Sequence, residues 1–174
     1  MTPRGELTVK DYPVRKSNRL KDYDYSQAGC YFITICISDG KDLLGDIIAG
    51  QLSLSEYGKT VKLEIENIPT VRKECIIQKY VVMPNHIHMI VQIVGDDGNR
   101  PANPRADRHP PLQRKSISNM VQGLKGVVTR QLGFSIWQRS FHDHIIRDEA
   151  EYQRVWQYID ENPQRWNEDC YYTE

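Results

Sequence analysis

No two cysteines in this chain stand at the CxxC spacing of a zinc cluster or a redox pair. Cys30, Cys36, Cys75 and Cys170 therefore read as reduced, mostly packed side chains rather than metal ligands or a disulfide frame. No apolar run reaches the length of a membrane span, so no membrane partner is expected. The start lacks the basic-then-apolar pattern of a signal peptide, which makes a cytoplasmic address the expectation. Internal repeats are absent, and so is an RNP1-like aromatic signature of an RNA-binding sheet.

An overall excess of charge is missing too: 23 Lys and Arg stand against 23 Asp and Glu in 174 residues. The distribution is uneven, however. Residues 1–21 carry six basic against two acidic side chains, residues 98–142 carry eight against one, and residues 143–174 carry three against nine. Two basic segments and an acidic end point to a polyanion held over part of the surface. The length suits one domain with an adequate core. Residues 1–28 read as a basic arm, 29–167 as the domain, and 168–174 as a short acidic tail. Within the domain, the Gly-, Pro- and Arg-rich residues 95–111 read as a mobile basic loop.

The remaining segments alternate between two periods. YFITICI (31–37) is β-branched and aromatic, as a strand requires. LLGDIIAGQLSLS follows as a hairpin turning at Ala49 and Gly50. Ser55 opens a helix with Val61, Ile65 and Ile68 spaced along it, Leu63 fitting less well. Residues 75–83 and 86–94 read as strands, joined by a turn at Pro84 and Asn85. Ser116 caps a helix whose apolar face is Ile117, Met120, Val121, Leu124 and Val128. HDHIIR (142–147) is a short strand. Asp148, with Glu151 three residues on, starts a last helix that runs to about Glu161 before Pro163. This order predicts an α+β fold with a mainly antiparallel sheet and helices packed on one face.

VVMPNHIHMIVQIV (81–94) holds the most specific chemistry. Alternation along a strand sends Ile87, Met89, Val91 and Ile93 to the core. His86 and His88 then project together from the other face, about 7 Å apart along the strand. Imidazole is a common metal ligand, and this spacing lets two ring nitrogens meet one ion. A third ligand is needed. His142, His144 or a residue of the last helix are the candidates. On that helix Tyr152, Val155, Trp156 and Ile159 form the apolar stripe. Tyr158 and Asn162 lie at its margin, one turn apart.

YVVMPNHIHMIV, SNMVQGLKGVVTR and IWQRSFHDHIIRDEAEYQRVWQYIDENPQRW resemble the single-tyrosine HUH transposases, specifically the REP-associated tyrosine transposase group. With YFITICI and LLGDIIAGQLSLSEYGK, the resemblance spans residues 29–166. It implies a ferredoxin-like (RRM-like) sheet and metal-dependent cleavage of single-stranded or hairpin DNA through a 5′-phosphotyrosine link. His86 and His88 match the paired ligands, Asn162 the amide ligand, and Tyr158 the nucleophile of the YIxxNP helix. Tyr152 does not match a nucleophile position. Two imidazoles and an amide form a neutral set, and Mg²⁺ or Mn²⁺ is the expected ion. Arg100, Arg105, Arg108, Arg114, Lys115 and Lys125 are the candidate contacts to the DNA backbone. The chain is expected to act as a monomer or homodimer. Two other readings compete: a non-catalytic nucleic-acid-binding protein, and a zinc hydrolase using His86, His88 and His142 or His144. The second lacks an evident carboxylate base and leaves Tyr158 without a role.

Overall fold

The computed structural model describes residues 27–94 and 116–172. Residues 1–26 of the basic arm and the 95–111 loop lie outside them, as do Arg100, Arg105, Arg108, Arg114 and Lys115. Strand β1 (Gly29–Cys36) leads to a hairpin of β2 (Gly45–Ile48) and β3 (Gln51–Leu54), then to helix α1 (Glu56–Val71). Strands β4 (Cys75–Val82) and β5 (His86–Ile93) follow, then α2 (Ile117–Leu132), β6 (His142–Ile146) and α3 (Glu149–Glu161). The main sheet has the order β4-β5-β1-β6, with every neighbouring pair antiparallel. With the hairpin set aside, this is a β-α-β-β-α-β unit in the ferredoxin-like order, as expected.

Local chemistry sets the element ends. Ala49 and Gly50 both take positive φ, 52° and 75°, as the turn of a two-residue hairpin requires. The Ser55 hydroxyl caps α1 by accepting from the Gly58 amide at 3.1 Å, and it donates to the Leu43 carbonyl at 2.6 Å. Gly58 has to be glycine, because a Cβ there would lie 1.9 Å from the Leu44 carbonyl oxygen. Ser116 caps α2, and Gly133 ends it in the left-handed conformation at φ 80°. The Asp148 carboxylate accepts from the Glu151 amide at 2.7 Å to cap α3.

Two helices pack on one face of the sheet. Val61, Ile65 and Ile68 of α1 and Ile117, Met120, Val121, Leu124 and Val128 of α2 are buried against Tyr31, Ile33, Ile35, Ile87, Met89 and Val91. Leu63 points out, as its poor fit to the stripe implied. Helix α3 lies across the other face. There Trp156 sits under the Lys79 ammonium, and Tyr158 meets the edge of Phe32. A 3-10 turn at Trp166–Glu168 then sends the chain back towards the start of β5. Within residues 168–172, expected as part of an acidic tail, Asp169 and Tyr171 turn towards the His86 side chain on the sheet. All four cysteines are free, with Cys36 and Cys75 buried. Among the described residues, no helix is long and apolar enough to cross a membrane.

Candidate active site

β5 runs antiparallel to β1, with His88 opposite Thr34 and His86 opposite Cys36. The alternation of β5 puts both imidazoles on the face away from α1 and α2, as expected. That face is not open. α3 and the segment after it cover it, leaving His86 0% and His88 1% exposed. Sequence alternation assigns a side chain to a face but says nothing of what later covers that face.

The rings converge. Their Nε2 atoms lie 2.9 Å apart, close to the separation of two adjacent ligands at right angles on one ion, given metal–nitrogen bonds of about 2.1 Å. Each Nδ1 is held from behind. Asn85 Oδ1 lies 2.9 Å from Nδ1 of His86. The Asn85 amide nitrogen donates to the carbonyls of Tyr171 at 2.8 Å and Gly40 at 3.2 Å. That sets the amide's orientation, so its oxygen accepts a hydrogen bond from the His86 Nδ1–H. The His86 Nε2 lone pair therefore faces into the site. Thr34 Oγ1 holds Nδ1 of His88 at 2.8 Å. As the rings stand, His88 Nε2 supplies the proton between the two imidazoles and the Thr34 hydroxyl donates to Nδ1. If both Nε2 atoms are to bind a cation, His88 must carry its proton on Nδ1 instead, and the Thr34 hydroxyl must turn round to accept it. Such partners behind the ligand fix ring orientation in metal sites. Burial holds His86 down to about 4, with Asp169 opposing the shift. Burial, and then His86, hold His88 well below the usual histidine range. Both rings are therefore neutral at pH 7, the form a metal requires.

α3 brings two more groups. Tyr158 Oη lies 3.2 Å from Nε2 of His88 and 3.3 Å from Oδ2 of Asp169. Its ring stands edge-on to His88, with centroids 5.1 Å apart. The residue as a whole remains 41% exposed. Burial of the hydroxyl, then the charge of Asp169, push its pKa above the ordinary tyrosine value. One turn on, Asn162 is 3% exposed, and its amide nitrogen donates to Asp169 Oδ2 at 2.7 Å. Its Oδ1 is buried with no hydrogen-bond partner. A buried amide oxygen in that condition is costly unless something electropositive meets it. The donor set thus fits a divalent cation: two neutral imidazoles, an amide oxygen and a nearby carboxylate. His86, His88 and Asp169 offer ligand atoms all within 4.8 Å of one another. The neutral set expected from the sequence is joined here by an acid.

No family model matches the chain. An uncharacterised protein of Haemophilus influenzae is 38% identical over 169 residues, 92% of this chain and 94% of its own length, and the two belong to one family. A second protein of that organism, named "Putative REP-associated tyrosine transposase", is 28% identical over 146 residues, 80% of this chain and 73% of its own. The solved structure of a REP-associated tyrosine transposase bound to a REP hairpin has the same fold, at a TM-score of 0.61 and 21% identity, over 85% of this chain and 74% of that one. The chain is similar in sequence to a protein named for the REP-associated tyrosine transposases and shares the fold of one of them.

Of the residues singled out from the sequence, His86, His88, Tyr158 and Asn162 come together. Tyr152 packs on Trp156, with centroids 5.8 Å apart. His144 lies half exposed on β6 and bonds the Glu151 carboxylate at 2.6 Å. Neither it nor His142 joins the cluster, so the zinc-hydrolase reading finds no third histidine among the described residues. The Lys125 ammonium donates to the carbonyls of Gln138 at 2.8 Å and Ser140 at 2.9 Å, tying α2 to the loop before β6. Three groups escaped the sequence reading: Thr34, Asn85 and Asp169. Asn85 was visible only as a turn residue, Thr34 only as a strand residue, and Asp169 only as one acid among nine in residues 143–174.

Proposed function

We propose that this chain is a transposase that cleaves and rejoins single-stranded DNA at or near hairpins, with Tyr158 as the nucleophile and a divalent metal held by His86, His88 and Asn162. The observation that carries the reading is the Tyr158 hydroxyl 3.2 Å from Nε2 of His88, beside two imidazoles whose nitrogens converge. The kinship with REP-associated tyrosine transposases supports it.

The chemistry needs a nucleophile, an oriented phosphate and a leaving group. A bound Mg²⁺ or Mn²⁺ supplies Lewis acidity towards the phosphate oxygens. Tyr158 Oη attacks phosphorus, the bond to the 3′-oxygen breaks, and the DNA 5′-phosphate is left on the tyrosine. The tyrosine proton passes to solvent, and the departing 3′-oxygen takes one up. Because the phosphodiester becomes a phosphotyrosine ester, attack by a 3′-hydroxyl reverses the step without ATP. Asn85 and Thr34 hold the rings, and the α3 backbone keeps Tyr158 and Asn162 one turn apart. Arg100, Arg105, Arg108, Arg114 and Lys115 are proposed to hold the DNA backbone, with affinity falling as salt rises. Lys125 is already bound to two carbonyls and is assigned a positioning role in the fold.

Incubation with hairpin-bearing single-stranded DNA labelled at its 3′ end tests the reading. A species that migrates as a protein–DNA adduct under denaturing conditions is expected with Mn²⁺. Sequence-specific binding without any adduct on any hairpin substrate would favour the non-catalytic binding protein.

A further inference from the structure

We infer that Asp169 is a fourth, anionic ligand of the proposed metal centre, so that the segment following α3 completes the site. The inference rests on the metal-dependent reading above and adds to it a ligand outside the HxH strand and the tyrosine helix.

The segment is seated by contacts that do not need the carboxylate. Trp166 is buried with its ring 6.0 Å from that of His86, and Tyr171 lies over His86 with centroids 4.6 Å apart. The Tyr171 carbonyl accepts from Asn85 at 2.8 Å, the residue that holds His86 from behind. Once seated, the segment carries an acid into the site. Asp169 Oδ1 accepts from the Tyr171 amide at 2.8 Å, which leaves Oδ2 turned towards the histidines. Oδ2 lies 4.0 Å from Nε2 of His86, and the two side chains are 1% and 0% exposed.

A distance of 4.0 Å is too long for a hydrogen bond. It does suit two ligands on widely separated positions of one ion, each at about 2.1 Å. The 2.9 Å between the imidazole nitrogens suits adjacent positions. Among the described residues no lysine or arginine pairs with Asp169. Its hydrogen-bond donors are an amide, a phenol and a backbone N–H. A buried carboxylate with only neutral donors calls for a cation. The Asn162 Oδ1 atom, buried and without a partner, points independently to the same need. Two imidazoles alone favour softer ions, whereas a carboxylate and an amide oxygen add the hard donors that suit Mg²⁺ and Mn²⁺. Asp169 would also lower the net charge of the loaded site by one, and its Oδ2 accepts from the Tyr158 hydroxyl at 3.3 Å.

Calorimetric titration of the full chain with Mn²⁺, without DNA, separates this inference from the reading beneath it. Wild type should bind one ion, Asp169→Asn should bind it tenfold or more weakly, and His86→Gln should lose binding. Hydrogen exchange read by mass spectrometry should slow across residues 167–172 of the wild type when Mn²⁺ is added. Equal affinity in Asp169→Asn and wild type, or no Mn²⁺-dependent slowing in residues 167–172, would overturn the fourth ligand while leaving the histidine site standing. A wild type that binds no Mn²⁺ would overturn both.

Discussion

His88 and Tyr158 are 70 residues apart in the chain and meet with ring nitrogen and hydroxyl oxygen 3.2 Å apart. One stands on a central strand and the other on a helix laid across it, so both are held by regular structure. Tyr158→Phe removes one oxygen from a side chain that is 41% exposed. It should change stability by about 1 kcal/mol or less and abolish the covalent adduct. Tyr152→Phe should keep most of the activity, because that ring packs on Trp156. Thermal melting and adduct gels on the two variants check both statements.

The two histidines are buried, so they are not free to change. Replacing both with alanine should abolish metal-dependent cleavage and also lower stability by roughly 2–4 kcal/mol, since it opens a cavity and strips Asn85 Oδ1 of its partner. Denaturant unfolding beside a nicking assay measures the two losses separately. Normal cleavage by the double variant would show the site is misassigned.

Thr34 should matter without touching DNA. Thr34→Val keeps the shape but takes away the group that bonds Nδ1 of His88 at 2.8 Å. Mn²⁺ affinity is expected to fall roughly tenfold, with about 1–2 kcal/mol of stability lost. Titration calorimetry and melting read these effects, and an unchanged affinity would show that the strand alone orients the ring.

Stability should depend on pH in a defined direction. Burial keeps His86 down to about 4 in the folded chain, below the ordinary histidine value of about 6.5, so between those values the unfolded chain binds more protons than the folded one. The stabilisation is therefore complete above about pH 6.5 and drains as pH falls towards 4. Burial shifts His88 in the same direction and adds to the loss. Urea unfolding at a series of pH values without metal tests this, and a flat profile from pH 7 to 4 would contradict it.

Much of the fold was legible because its signals are local. Ser55, Ser116 and Asp148 cap helices three residues ahead of the amides they meet, and Ala49 and Gly50 make a turn between adjacent strands. The convergence of His86 and His88 followed from the two-residue repeat of a strand. Their burial did not, because it depends on a helix and a return segment arriving from more than 60 residues downstream. Thr34 reaches His88 across 54 residues of chain, through strand register alone. Asp169 is placed by the seating of Trp166 and Tyr171 and has no motif of its own.

Mass spectrometry of the trapped adduct identifies the nucleophile. Trypsin cutting after Arg154 and Arg165 releases residues 155–165, in which Tyr158 is the only tyrosine, while Tyr152 falls on the preceding peptide. After incubation with hairpin DNA and Mn²⁺ and nuclease trimming, a nucleotide phosphate is expected on peptide 155–165, localised to Tyr158 by fragmentation. The same modification on the Tyr152 peptide, or on a peptide with neither residue, would contradict it.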